Sequence, residues 1–388
     1  MSILTQSLWL DEAIVANVVK NYSFWGIIKF FSISDFHPPL YYLFIKLWTN
    51  IFGYSEIALR FPSIIFFLIT VWVVYKINKK ASLLVLLNPL LIYYAFEARM
   101  YMMVVMFLTL ALFNKLKNRN FYFYLFSCLS VLTFYGSVFF LFFLSFLNWG
   151  MIAGILIVSP LLWTQLKYAS GALVDVKNWG LTLGNVNFKN IFLIPIKFVT
   201  GRVDFEKWQL IPVLTVWLGI LTKKIKGNFW LKIILGPLFL ALIVSLKFPM
   251  MQYFRFLYLL IPICILLAMN IKKTWHYLLV VLIFVYFSFF TIFDENNFKE
   301  DWKNMAKDLD KEIPVYLIGS FADPLTYYNQ EVKHFDIKTI KPSEEKITYI
   351  PYGEEIHGVN HQEILEELGY KKIDEKVYRS VSWEAWSL

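Results

Sequence analysis

Four short stretches of this chain gather residue types that can hold an anion or move a proton. Trp9-Leu10-Asp11-Glu12-Ala13 sets two carboxylates side by side between an aromatic residue and an apolar run. Such a pair can accept a proton, and it serves equally as a helix cap followed by an acid in the first turn. Asp35-Phe36-His37-Pro38-Pro39 is the second stretch. Residues ahead of proline avoid the α region, so 35–37 should be extended with Asp35 and His37 on one side. A proline then opens a helix with Leu40, Leu43, Phe44, Leu47 and Trp48 on the face that would lie in a membrane interface. A carboxylate and an imidazole at a helix N-terminus form a place that favours phosphate, and a capped helix start with a surface histidine has the same sequence.

The third stretch, Tyr93-Tyr94-Ala95-Phe96-Glu97-Ala98-Arg99-Met100-Tyr101, turns between two apolar runs. Glu97 and Arg99 read either as a local ion pair or as Arg99 facing a lipid phosphate, with the tyrosines in an interfacial belt. The fourth, Met251-Gln252-Tyr253-Phe254-Arg255, places another arginine at the mouth of an apolar run, where snorkelling also accounts for it.

The elements that must position these residues are membrane spans. Of the 388 residues, 58% are apolar and 19% aromatic, which excludes an ordinary soluble globule. Apolar stretches near 61–77, 82–96, 100–114, 121–135, 137–149, 151–163, 208–222, 229–246, 254–270 and 275–293 give about ten spans. The basic clusters Lys76/Lys79/Lys80, Lys115/Lys117/Arg119, Lys223/Lys224/Lys226 and Lys272/Lys273 fall at one end of those stretches. The eight acids before residue 294, namely Asp11, Glu12, Asp35, Glu56, Glu97, Asp175, Asp204 and Glu206, fall at the other. Lysine-rich short loops mark the cytoplasmic side, so the carboxylates lie outside. Charges near a bilayer are costly, and a row of them on one face reads as a site.

The formal net charge of +9 conceals a split. From Asp294 onward there are twelve basic and twenty acidic residues, a balance of −8, which leaves +17 for the rest. Topology accounts for the loop lysines, so no nucleic-acid partner is expected. The tail should be a small external α/β domain, with a helix over 299–312, a strand over 314–319, and a helix near 361–368. The expected division is 1–293, a transmembrane domain whose first external loop runs over about 1–60, and 294–388, an extracytoplasmic domain. Cys128 and Cys264 fall within spans and read as packing residues. Only ten residues precede Asp11, too few for a span, so an upstream first span is expected, eleven in the intact pattern. The external segment 164–207, with Trp163, Lys167, Asp175, Lys177, Trp179 and Trp208, reads either as an acceptor-side lid or as interfacial aromatics.

The order of the motifs is more specific than any one of them. Leu10-Asp11-Glu12-Ala13, Asp35-x-His37-Pro38-Pro39-Leu40-Tyr41-Tyr42, Ser55-Glu56-x-x-Leu59-Arg60-x-Pro62-Ser63, Glu97-Ala98-Arg99-Met100-Tyr101, Tyr253-Phe254-Arg255 and Glu300-Asp301-Trp302 follow one another along the chain. This succession resembles the multi-span C-type glycosyltransferases of the protein mannosyltransferase and aminoarabinose transferase group. The likeness is greatest to the bacterial and archaeal branch that includes the Rhizobium lipopolysaccharide core transferases. It runs from about Ser7 to Trp302, and the tail is matched only in kind.

The resemblance implies a multi-pass cell-membrane enzyme that takes a sugar from a polyprenyl-phosphate carrier on the outer face. The sugar passes, usually with inversion, to a hydroxyl of a protein, lipid or glycan. Asp11 then occupies the catalytic carboxylate position, with Glu12 beside it. His37, Arg99 and Arg255 correspond to donor-phosphate ligands, and Asp35, Glu97 and Tyr101 support them. The same resemblance admits a divalent metal at Asp35. The competing classes are a lipid-linked sugar transporter, which would place ionisable groups at mid-membrane, and an inactive membrane scaffold.

Overall fold

A computed structural model describes residues 2–176, 178, 180, 183–204, 206–221, 228–342 and 344–388. The described residues through Phe293 are mainly helical, and those after it form a five-stranded sheet with short helices. Backbone groups in lipid must satisfy one another, which is why helix is the form these apolar runs take. Among the described residues four helices or helical runs are long and apolar enough to cross a membrane, Glu56–Ile77, Trp149–Tyr168, Tyr253–Asn270 and Thr274–Phe293, and four shorter apolar helices accompany them.

Most of the apolar runs expected as spans are helical with moved ends, and three differ for local reasons. The 82–96 run is two helices, Lys79–Leu87 and Pro89–Ala95. Asn88 divides them: its Oδ1 accepts from the N–H groups of Leu90 and Leu91, both at 3.1 Å, and Pro89 sits at the first position, where a missing N–H costs nothing. The 137–149 run is helical only over Ser137–Leu144, roughly 12 Å of rise and too short to cross. Asn148 then caps the following helix through the Met151 N–H at 3.1 Å, and that helix runs on to Asp175, well past the expected end at 163. It packs close to the Asn120–Thr133 helix at Gly150, where a Cβ would lie 1.9 Å from the Tyr124 carbonyl oxygen. Small residues permit such close approach between membrane helices.

In the tail, strands β1 (Val315–Leu317), β2 (His334–Asp336) and β3 (Lys346–Tyr349) are parallel in the order β2-β1-β3. Strands β4 (Lys371–Tyr378) and β5 (Val381–Ser387) add antiparallel at the β3 edge. The expected helix over 299–312 is confined to Trp302–Asp308: Asp301 caps it by accepting from the Asn304 N–H at 3.3 Å, and Lys299 is drawn into contacts with Glu12 and Glu97. The fully buried Trp302 packs on one side of the sheet and Trp386 on the other.

The tail is bolted to the start of the chain. Leu8 N–H donates to the Tyr328 hydroxyl at 2.7 Å, Asn17 Nδ2 to Asp323 Oδ1 at 2.8 Å, Lys299 N–H to Gln6 Oε1 at 2.9 Å, and Lys303 Nζ to Glu56 Oε1 at 2.7 Å. The helix Leu10–Asn21 is thereby held between the Leu40–Phe52 helix and the Asp323–Tyr328 helix of the tail.

Candidate active site

Asp11 and Glu12 lie in the first turn of the Leu10–Asn21 helix, whose capping position is Trp9, so neither is the cap. Successive helix residues point about 100° apart, and the two carboxylates have opposite fates. Glu12 is completely buried and both oxygens are occupied. Oε1 accepts from Arg60 Nε at 2.9 Å and from the Ala98 N–H at 2.8 Å. Oε2 accepts from Arg60 Nη2 at 2.7 Å and faces Lys299 Nζ at 3.1 Å. Arg60 spends its remaining donors on the carbonyls of Leu4, Gln6 and Ser7.

Lys299 also faces Glu97 Oε2 at 3.4 Å and lies over the rings of Trp9 and Tyr93. The result is a neutral buried tetrad, two carboxylates against two cations. Burial pushes the Glu12 carboxyl up, but Arg60 and Lys299 outweigh it and hold it at about 2. Burial raises Glu97 and lowers Lys299, the less completely compensated members. Both Glu12 oxygens are thus engaged in a fully buried position, while its neighbour Asp11 keeps an open side.

Asp11 stays partly open, with its side chain 31% exposed. Its Oδ2 is 3.4 Å from Arg99 Nη2, and Arg99 Nη1 reaches the Asp11 carbonyl at 3.5 Å. Arg99 is 5% exposed, and its Nε has no hydrogen-bond partner among the described residues. A buried guanidinium so loosely tied retains donors for a further anion, the opposite of Arg60. The turn that carries it is fixed by Ser63 Oγ, which donates to the Glu97 carbonyl at 2.6 Å.

Asp35 and His37 meet as their spacing suggests, but not on an extended strand. Asp35 ends a short helical turn, Ser32–Asp35, and Phe36 is left-handed at φ 59°, so the proline restriction acts on His37 alone. His37 Nδ1 lies 3.1 Å from Asp35 Oδ2, and the Tyr42 hydroxyl donates to the same oxygen at 2.8 Å. Pro39 stands at the start of the Leu40–Phe52 helix, as expected. Gln165, on the helix that outran its expected end, braces this loop by donating to the Ser32 and His37 carbonyls.

Tyr101 stacks edge-on against Tyr94 and Phe254 and joins the Arg99 turn to the helical segment of Arg255. Arg255 Nη1 donates to the Pro249 carbonyl at 3.1 Å. Three contributors had no assigned role in the sequence reading. Arg202 is solvent-accessible and donates to the Tyr93 hydroxyl at 3.0 Å. Glu300 accepts from the Tyr352 hydroxyl at 2.9 Å, and Lys299 completes the buried tetrad. Lys299 could only be found through the long-range folding that brings residue 299 back to residue 12, and Arg202 through the packing that brings residue 202 to Tyr93.

Among the described residues no group of three or more His, Cys, Asp and Glu could hold a metal. Asp35 and His37 offer two donors, and these already engage each other. The 164–207 segment is largely helical and includes the Phe188–Thr200 helix. Asn178 bridges it to the tail, its N–H donating to the Ile356 carbonyl at 3.0 Å and its Nδ2 to the Glu355 carbonyl at 2.6 Å. Trp208 stacks on Phe287 of the Thr274–Phe293 helix, with ring centres 6.1 Å apart. Lys177, Trp179, Lys223, Lys224 and Lys226 lie outside the described residues. Beside Phe188–Thr200 an almost wholly apolar groove of about 380 Å³ is lined by Ile191, Phe198, Trp217, Leu238, Met251 and Ile263.

Residues 36–111, which carry His37, Arg60, Glu97, Arg99 and Tyr101, match the family model of dolichyl-phosphate-mannose-protein mannosyltransferases. No curated protein matches the chain. Among solved structures it is similar to ArnT from Cupriavidus metallidurans bound to undecaprenyl phosphate, at 11% identity, with 99% of this chain and 95% of that chain covered and a TM-score of 0.57. ArnT in the apo state aligns over the same shares at 10% identity and a TM-score of 0.47. The likeness to the first is one of fold. Together with the family segment it agrees with the group whose motif order the sequence resembles.

Proposed function

We propose that the protein is a membrane glycosyltransferase that passes a sugar from a polyprenyl-phosphate carrier to a hydroxyl on the outer face, with inversion. The observation that carries this reading is the pairing of a partly open carboxylate, Asp11, with a buried, under-committed guanidinium, Arg99, at 3.4 Å. A one-step displacement needs both types of group. The acceptor oxygen bonds to the anomeric carbon as the carbon–oxygen bond to phosphate breaks. The acceptor proton goes to Asp11, and the departing phosphate keeps the electron pair. Arg99, with Arg255 and His37, stabilises that charge; each charge-assisted hydrogen bond contributes about 1.5–3 kcal/mol. Arg202, which donates to the Tyr93 hydroxyl, stands at the Tyr93 side of the same region.

The apolar groove ending at Met251, four positions before Arg255, suits an isoprenoid chain, and ArnT, which has a similar fold, is bound to undecaprenyl phosphate. A protein, lipid or glycan could supply the acceptor hydroxyl. A divalent ion at Asp35 would draw on one carboxylate, His37 and donor phosphate oxygens; it would screen phosphate charge, and Arg99 supplies the same help without it. In this reading the chain crosses the membrane about ten times and divides near residue 293. The acids and the sheet face outward by the lysine bias of the opposite loops. Charges clustered at one set of helix ends support transfer chemistry over a mid-membrane transport path.

The test is sugar release from synthetic polyprenyl-phosphate hexoses and pentoses by the purified protein in lipid, with a membrane extract as acceptor. Transfer from one donor that Asp11→Asn abolishes is the expected result. Turnover unaffected by that substitution would end the assignment of the base.

A further inference from the structure

At the opposite ends of the same helices lies a second pocket, of about 250 Å³, that the transfer reaction does not use. Its walls come from the last turns of Glu56–Ile77 and Tyr101–Leu116 and the first turn of Asn120–Thr133. From Arg60 to Lys76 the helix rises roughly 24 Å, so this pocket and the Arg60 cluster are separated by most of a bilayer core.

Two cations, Lys76 and Arg119, line it beside the polar side chain of Asn114 and the rings of Trp72, Phe113 and Tyr122. Lys76 Nζ lies 5.5 Å from the Trp72 ring centre. Trp72 and Tyr122 are well over a third exposed, the position of aromatic residues at a headgroup level. The charge around the pocket is of one sign. The two loops that close it carry Lys76, Lys79, Lys80, Lys115, Lys117 and Arg119, and the chain has no Asp or Glu between Glu56 and Glu97 or between Glu97 and Asp175. Short loops explain why lysines stand on this side. They do not explain a cavity with two cations at its wall and an apolar floor of Val73 and Leu110.

We propose that this pocket holds the headgroup of an anionic phospholipid of the leaflet opposite the catalytic region. The phosphate lies between Lys76 and Arg119, and an acyl chain runs down past Val73 and Leu110. Basic pockets between membrane helices have the charge, and the aromatic rim the depth, for this class of ligand. Because the pocket joins three helices, two of which carry Glu56, Arg60 and Tyr101 at their far ends, the lipid braces the bundle from below.

The experiment uses the full chain in nanodiscs of phosphatidylcholine doped with phosphatidylglycerol, and counts lipids retained after mild detergent transfer by native mass spectrometry. The wild type should keep one phosphatidylglycerol in preference to phosphatidylcholine. Lys76→Gln/Arg119→Gln should weaken that retention by roughly 30-fold, the effect of removing two interfacial cations. Lys79→Gln/Lys117→Gln, with the same loss of charge outside the pocket, should keep it, which separates a site from a general basic surface. Equal loss in both double variants, equal retention of phosphatidylcholine, or displacement of the lipid by excess inorganic phosphate would each overturn the proposal.

Discussion

Glu12, in the first helix, and Lys299, in the segment leading to the sheet, meet at 3.1 Å in a position neither solvent nor lipid reaches. That contact closes the two ends of the membrane region on each other and leaves the neighbouring Asp11 facing outward. Removing one partner strands a buried charge. Glu12→Gln should therefore cost about 3–5 kcal/mol, because Arg60 and Lys299 lose their shared counter-ion. Thermal unfolding in detergent would read this as a lower midpoint, and an unchanged midpoint would show that the tetrad does not hold the fold together.

The same cluster sets an acid limit. Glu12 is held at about 2 in the fold, and an unfolded glutamate titrates near 4.3, so its folded value is depressed. Its contribution is complete above about pH 4.3 and disappears as pH falls towards about 2. Glu97, raised by burial, works in the other direction, which makes the acid limb shallower than Glu12 alone would give. Unfolding midpoints of the wild type and Glu12→Gln should converge as pH drops below 4, and parallel curves would contradict this assignment.

Much of the site was legible because its chemistry is local. Asp35 with His37, and the Glu97-to-Tyr101 turn, sit within a few residues of one another, so spacing alone brought them together. The surroundings of Glu12 were not legible, because nothing near it in the chain shows that Arg60 and Lys299 converge on it. The pairing depends on how the tail folds back, which periodicity does not encode. The same limit applies to the span over 137–149. Its composition is almost wholly apolar, and only the long-range anchoring of Asn148, with its Nδ2 bonded to Ser127 Oγ at 2.9 Å, shows where the next helix begins.

Asp11 and Arg99 should separate in kinetics. Asp11→Asn removes the proton acceptor while leaving the side chain's shape, so kcat should fall by about 10²–10⁴ with KM for the donor little changed. Arg99→Gln removes a phosphate ligand and should weaken donor binding as well as slow the step. If both variants changed only KM, neither residue would act on the transition state and the assignment of roles would fail.

The tail carries its own pH response. His361 is 6% exposed, with Nδ1 2.8 Å from Glu354 Oε1 and Nε2 2.8 Å from Glu384 Oε2, and its ring stacks on Tyr349. Burial pulls the imidazole down, but the two carboxylates outweigh it and the net direction is up from the ordinary value near 6.5. A raised folded value means that the stabilisation is fully present below about pH 6.5 and is lost as pH rises through the folded value. Because Glu354 and Glu355 share the turn whose carbonyls hold Asn178, loosening His361 should also release the 164–207 segment from the sheet. Hydrogen exchange at the Asn178 amide should thus speed up between neutral and alkaline pH beyond its intrinsic base catalysis. His361→Gln should show the fast rate throughout. Equal protection in the variant and the wild type would show that the histidine does not govern this contact.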